Sequence, residues 1–301
     1  MQTALLLVPE FALIAIGILL MRFARLEPAF WLGLERLVYF LLFPALLFYS
    51  IARTPFDFTT TTRLAQTGVA VIATGIALGW AARLVKLDGL VWASTVQCAF
   101  RFNSYIALAL AGRLGGEAGV ASMAILVGIG VPLCNAAAVF ALARHSERGL
   151  LTELARNPLL IATLAGVIFN LLGFRLPDPI AGILSRLGSA SIALGLIAVG
   201  AGLKLAGAHE AKGLVAWITT VKLVVLPAVA LVVGRALGVH GVQLQIVVLF
   251  AALPTASSAY ILAQRMGGHG ALVAVLISLG TVLSAVTIPV WMNWVQIVGG
   301  R

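Results

Sequence analysis

Two short stretches place charged and hydrogen-bonding side chains where the surrounding sequence is otherwise apolar. The first reads Val96-Gln97-Cys98-Ala99-Phe100-Arg101-Phe102-Asn103-Ser104-Tyr105. A cation inside hydrocarbon costs about 2.5–3.5 kcal/mol on insertion scales, so a residue such as Arg101 normally faces protein, a wet cavity or the headgroups. The second reads Ala252-Leu253-Pro254-Thr255-Ala256-Ser257-Ser258-Ala259-Tyr260. Pro254 offers no N–H and its ring clashes with the preceding turn, so a helix breaks there. A broken helix bares N–H groups at the start of one half and carbonyls at the end of the other. The N–H end attracts an anion. Two such breaks meeting in mid-membrane predict an anion site. Asn103, Ser104, Thr255, Ser257 and Ser258 would add side-chain hydrogen bonds to it. The competing reading of the serines is that they are small polar residues packing helix against helix.

Other polar residues in apolar surroundings keep more than one reading. Arg101 supplies charge to an anionic substrate, or lies toward a helix end and snorkels to the headgroups. Lys222, five residues before Pro227, pairs with a substrate, caps carbonyls freed by that proline, or snorkels. Glu10 is the one carboxylate placed well inside an apolar run; it accepts a proton or holds a cation there, or sits at the interface after Pro9. Gln97 supports the first stretch, and Asn135, three residues after Pro132, lines a cavity or bridges helices. Cys98 and Cys134 read as buried thiols. His145, His209, His240 and His269 fall in loops without metal-ligand spacing, so no metal and no cofactor is expected. There is no Walker motif, no paired intramembrane Asp and no nucleophile–His–acid arrangement. Solute carriage is the leading class. A membrane-embedded enzyme that releases product, and a receptor that binds solute without flux, are the competing ones.

The elements that carry these residues follow from composition. Of 301 residues, 61% are hydrophobic and 10% charged, and the mean hydropathy is +1.09. Soluble domains carry roughly 25% charged residues, so the apolar surface must face lipid. Only helices and closed barrels satisfy their backbone in hydrocarbon. The apolar runs are about twenty residues long, the length of a spanning helix rather than of a barrel strand. Ten spans are predicted at 3–22, 31–52, 64–83, 91–112, 118–142, 158–174, 179–203, 214–235, 242–264 and 270–297. The first lacks a basic n-region and a small-residue cleavage site, so it reads as a mature helix rather than a signal peptide.

The net charge of +10 comes from basic residues scattered singly or in pairs between the runs. That pattern sets topology and touches lipid headgroups; it does not fit nucleic acid. Of 20 Lys and Arg, eleven follow odd-numbered spans and seven follow even-numbered ones. The richer side is expected to be cytoplasmic. Both termini then lie outside the cytoplasm of a multi-pass cell inner membrane protein.

The two halves repeat. Pro9, Gly17 and Pro28 recur at an offset of 149 as Pro158, Gly166 and Pro177. Leu34, Arg36 and Leu37 recur at 150 as Leu184, Arg186 and Leu187, and Arg113-Leu114-Gly115-Gly116 recurs at 152 as Arg265-Met266-Gly267-Gly268. The expected fold is therefore an all-α integral membrane protein of ten transmembrane helices in two inverted five-helix repeats. Residues 1–143 form the first repeat, 144–157 a cytoplasmic connection and 158–301 the second repeat. Five spans per copy invert the second relative to the first, the architecture of secondary transporters with a midplane site. The same offset lays Asn103 on Thr255 and Phe102 on Pro254, so the irregular points of helices 4 and 9 are symmetry mates.

Several ordered segments resemble the auxin efflux carrier family, which includes plant PIN proteins and bacterial permeases. They are Val8-Pro9-Glu10-Phe11-Ala12; Leu34-Glu35-Arg36-Leu37-Val38 with Phe43-Pro44-Ala45-Leu46-Leu47-Phe48; Asn157-Pro158-Leu159 with Gly166 and Asn170; Lys222-Leu223 with Pro227; and Leu253-Pro254-Thr255-Ala256-Ser257-Ser258. The resemblance implies a scaffold of helices 1, 2, 6 and 7, a moving transport domain of helices 3–5 and 8–10, crossed broken helices 4 and 9, and a homodimer formed through the scaffold. It maps the family's crossover Asn onto Asn103 and its second-half crossover Pro onto Pro254. It implies a small organic anion as substrate, a carboxylate or an auxin-like acid. The runner-up is a sodium-coupled anion symporter of the bile-acid type. One departure stands out: no proline follows Asn103 in Tyr105-Ile106-Ala107-Leu108-Ala109, which predicts a fourth helix less broken than the ninth.

Overall fold

A computed structural model of the chain describes residues 2–24, 26–53, 58–84, 88–142, 158–202, 211–256 and 258–299. All regular structure among the described residues is helical. The connection at 144–157 and Ser257 lie outside the described residues, as does the side chain of Glu10.

The first half opens with α1 (Gln2–Phe23) and α2 (Pro28–Leu37), the latter started by a proline whose missing N–H costs nothing in a first turn. A π-helical turn, Val38–Leu42, leads into α3 (Phe43–Arg53). Pro44 sits in the first turn of α3 and cannot donate back into the ladder, which accounts for the widened turn ahead of it. Then come α4 (Phe58–Ala81), α5 (Gly89–Thr95) and α6 (Ser104–Leu142). Asp88 caps α5, its carboxylate accepting from the N–H groups of Leu90 and Val91. Helix α6 folds back on itself at Gly116, whose φ of 57° and ψ of −144° are not helical. Beyond that turn a Cβ on Gly119 would overlap the carbonyl oxygen of Ala111, so the two arms lie backbone to backbone.

The second half contains α7 (Pro158–Leu171), α8 (Asp178–Ala201), α9 (Lys212–Thr220) and α10 (Leu226–Ala236). It closes with α11 (Gly241–Ala252), α12 (Ser258–Arg265) and α13 (Gly270–Gly299). A second π-helical turn, Val221–Val225, joins α9 to α10 ahead of Pro227. Pro227 leaves the carbonyl of Leu223 without its helical donor, and the Trp291 indole N–H supplies one at 2.9 Å.

Among the described residues, six helical stretches are long and apolar enough to cross a membrane, including Pro28–Arg53, Lys212–Ala236 and Gly270–Ile297. Leucine, isoleucine, valine and phenylalanine side chains are widely exposed on their outer faces, as on Phe40, Ile168, Val232 and Ile297. That surface suits lipid rather than water.

Two close pairings organise one side of the bundle. Helix α1 lies on α8, and α3 lies on α7. Glycines set the first contact: a Cβ on Gly17 would overlap the carbonyl of Ile197, and one on Gly200 that of Ile14. Small residues let helix backbones approach in this way where no hydrophobic effect drives association. In the second pairing, Asn170 on α7 donates its amide to the carbonyls of Ile51 and Ala52 at 2.8 and 3.2 Å, satisfying the bare end of α3. On the other side α4, α6, α10, α11 and α13 pack together around a shared core that includes Leu64, Val127, Val247 and Ile288.

Candidate substrate site

The two irregular stretches meet at the centre of this packing. After α5 the chain tightens into a 3-10 turn, Val96–Ala99, then runs without helix over 100–103 before α6 begins. Helix α11 ends at Ala252, and 253–256 are non-helical before α12. The two breaks hold each other. The Asn103 N–H donates to the Pro254 carbonyl at 2.8 Å. The Thr255 hydroxyl donates to the Cys98 carbonyl at 2.8 Å. Backbone groups left over by each interruption are thus satisfied by the other, as a buried backbone requires.

The expectation that the fourth helix is less broken than the ninth is corrected here. Phe100, at φ −125°, ends the 3-10 turn. Asn103 then restarts the helix as its N-cap: its Oδ1 accepts from the N–H groups of Tyr105 and Ile106 at 3.0 and 3.2 Å. An asparagine cap begins a helix as effectively as a proline interrupts one.

A cavity of about 420 Å³ opens beside the crossing. One wall comes from the interrupted stretches and the arms of α6: Arg101, Asn103, Ser104 and Asn135 among the residues singled out from sequence, with Ser258 and Ala256 from the second break. The opposite wall is α2 and its π turn, with Leu32, Glu35, Arg36, Tyr39 and Phe40. Asn103 is 2% exposed, and its Nδ2 is buried with no hydrogen-bond partner. With Oδ1 committed to the cap, that amide is a spare, buried donor on a residue that lines the cavity. Ser104 and Ser258 mark the first residues of α6 and α12, so both restarted helices present their N-terminal ends here.

Arg101 is 8% exposed and belongs to a network. One guanidinium nitrogen donates to Gln97 Oε1 at 2.8 Å, and the other to Asn135 Oδ1. Gln97 is held in turn by its own Nε2, which donates to the carbonyls of Ser94 and Ala259 at 3.0 and 3.2 Å. Gln97 therefore points its oxygen at Arg101 and ties the first break to α12. This places Arg101 inside the protein, on the cavity, rather than among the headgroups.

Other residues take places away from the cavity. Pro254 and Thr255 do not line it; they fasten the crossing. Lys222 is 4% exposed, which excludes snorkelling, and lies 3.4 Å from the carbonyl of Ala251. It caps the last turn of α11, a carbonyl freed by the break at 253–256 and not by Pro227. A small void of about 10 Å³ separates it from Thr219, Cys98 and Thr255. Ser257 lies outside the described residues. Glu10 is in α1, with its side chain outside the description.

Sequence reasoning passed over Glu35, Tyr39, Tyr105 and Cys134, all of which line the cavity. Glu35, which was not singled out beside Glu10, is the carboxylate that the fold brings to the described cavity wall. A signal was present: positions 32, 35, 36, 39 and 40 share one helical face.

Residues 142–292 match the family model described as "Membrane transport protein". The chain belongs to this family. It is thereby a multi-pass membrane transporter of the auxin efflux carrier type that its motifs resemble. Among similar curated proteins, an "Uncharacterized transporter" of Methanothermobacter thermautotrophicus is 29% identical over 268 residues, 86% of this chain and 87% of that protein. A Rhizobium meliloti protein named "Putative malonate transporter" is 28% identical over 299 residues, 94% of this chain and 92% of that protein. "Uncharacterized transporter YfdV" of Escherichia coli is 30% identical over 174 residues, 56% of this chain and 54% of that protein.

Proposed function

We propose that this family member is a secondary transporter that carries a small organic anion across the cell inner membrane by alternating access. The observation that carries the reading is the spare Asn103 amide, buried in the wall of a cavity where Arg101 and two helix N-termini converge. A carboxylate presented to that wall gains charge-assisted hydrogen bonds that water would otherwise supply. The name of the Rhizobium relative makes malonate the first acid to test.

The mechanism follows from a ten-pass reading in which α6 contributes two passes and each broken pair, α5 with α6 and α11 with α12, crosses once. The spans fall into two inverted repeats, 1–143 and 158–301. The packing supports this: α1 on α8 and α7 on α3 are mates under the repeat, and each brings together the first span of one half and the second span of the other. Helices of spans 1, 2, 6 and 7 form a scaffold, through which a homodimer assembles. The remaining spans form a transport domain that holds the crossing. The cavity lies between the two, with the α2 wall on the scaffold and the Asn103 wall on the moving part. Displacing one against the other exposes the anion to each side in turn.

Uptake of labelled malonate and related acids into proteoliposomes tests the reading, with and without a sodium gradient. Saturable accumulation without sodium is the expected result. Binding without flux, chemical conversion of the acid, or an absolute need for sodium would each overturn it in favour of a receptor, an enzyme or a sodium symporter.

A further inference from the structure

Among the described residues, the ionisable groups on the cavity wall carry both signs of charge. Arg101 and Arg36 bring two positive charges, and Glu35, on α2, brings a negative one. The other titratable groups lining it are Tyr39 beside Glu35, and Tyr105 and Cys134 on α6, side chains ordinarily neutral at pH 7. Helix α8, which also packs on α2, carries Asp178 and Arg186; both are exposed and outside the lining. Among the described residues Glu35 is the only carboxylate on the cavity, and no described group pairs with it. It is half-buried, between Leu32 and Phe40 on its own helix face. The rest of the wall includes Phe102 and Val131, so the space is poorly screened.

We propose that Glu35 sets the charge of the transported species: the cavity accepts a carboxylate bearing one negative charge and rejects the doubly charged form of a dicarboxylate. This rests on the transport reading above and narrows its substrate class. Among the described lining residues, two positive charges and one negative leave a net charge of +1, which one anionic group balances. A second carboxylate would face Glu35 across a low-dielectric space, where two like charges disfavour being ionised together. A monoanion with a hydroxyl or a protonated carboxyl meets no such penalty, because an ionised Glu35 accepts a hydrogen bond from that group. Lactate and hydrogen malonate fit this description; dianionic malonate does not. Specificity then comes from a repulsive element as well as from the attractive amide and arginine.

Labelled lactate and malonate uptake into proteoliposomes, at about pH 5 and about pH 8, tests this. Lactate is a monoanion at both values, whereas malonate passes from mostly monoanion to mostly dianion. In the native protein the malonate-to-lactate uptake ratio should fall about tenfold toward the higher pH. Glu35→Gln keeps the shape and removes the charge. It should raise the ratio at pH 8 about tenfold, with the thermal unfolding midpoint in detergent as the separate measure of a folded carrier. Glu35→Asp should keep the native ratio. An unchanged ratio at pH 8 in Glu35→Gln overturns the proposal. Should that variant not fold, the native protein decides: equal malonate uptake at both pH values, relative to lactate, overturns it as well. If neither acid moves in any protein, the transport reading for small carboxylates fails, and the charge filter with it.

Discussion

Asn103 combines two tasks that separate substitutions can resolve. Its oxygen caps α6, and its nitrogen is a buried donor without a partner on a residue that lines the cavity. Asn103→Ser keeps a capping oxygen and removes the amide. Thermal unfolding in detergent should then shift by no more than about 1 kcal/mol, while uptake of the transported acid falls about tenfold with the loss of one hydrogen bond to a charged group. An equal loss of uptake and of fold would mean that the cap is the whole of its role. Thr255 predicts the opposite balance. Thr255→Val keeps the shape but leaves the Cys98 carbonyl unsatisfied at a buried crossing. That should cost about 1–3 kcal/mol of stability, read from the unfolding midpoint. That Asn103, Arg101 and Pro254 mark interruptions was legible because polar groups and a proline stand out against an apolar run. The division of labour between Asn103 and Thr255 was not, since equivalent positions in a repeat need not face the same cavity. Glu35 was missed because near the predicted start of a span, a charge reads as interfacial until the facing helix is known.

At the scale of elements, the contacts are decided by where backbone polar groups go and how closely helices approach. Proline-driven interruption was readable at Pro254, whereas the break before α6 has no proline and depends on a 3-10 turn followed by a cap. The donation of Trp291 to the Leu223 carbonyl and of Asn170 to the end of α3 link residues 68 and 119 positions apart. No local pattern encodes such pairs. The α1–α8 contact offers a sharp test. Gly200→Ala inserts a Cβ into the Ile14 carbonyl, so the helices must separate, at about 1–3 kcal/mol. Gly182→Ala on the same helix meets nothing within 4 Å and should be neutral or stabilising by up to about 1 kcal/mol. Unfolding midpoints of the two variants, compared with the native protein, check the difference.

For the whole molecule, the expectation is that helices packed around the crossing move as a body against the α1, α2, α3, α7 and α8 layer. The exposed ion pair between Arg53 at the end of α3 and Glu117 beside the α6 turn, at 3.3 Å, spans the two parts. Both partners are about half exposed, and such a pair contributes roughly 0–1 kcal/mol. It is weak enough to break in such a motion. Orientation is the most direct global prediction. Reporter fusions at both ends of the chain should be active only in the periplasm, and one placed within 144–157 only in the cytoplasm. A cytoplasmic terminus would overturn the assignment drawn from loop charge.

Composition alone made this a membrane protein of helices, since a chain with 10% charged residues cannot cover itself in water. Ordered motifs and offsets near 150 carried the family resemblance and the expectation of a repeat, because turn and helix-breaking residues are local signals. Tertiary structure decided which residues share the cavity. Burial turned Arg101 inward to Gln97 and Asn135 and Lys222 onto a freed carbonyl, and packing α2 across the crossing brought Glu35 to the cavity. A charge in an apolar run announces that it needs a partner. Which partner it has depends on helices far apart in the chain, whose meeting is fixed only when the bundle closes.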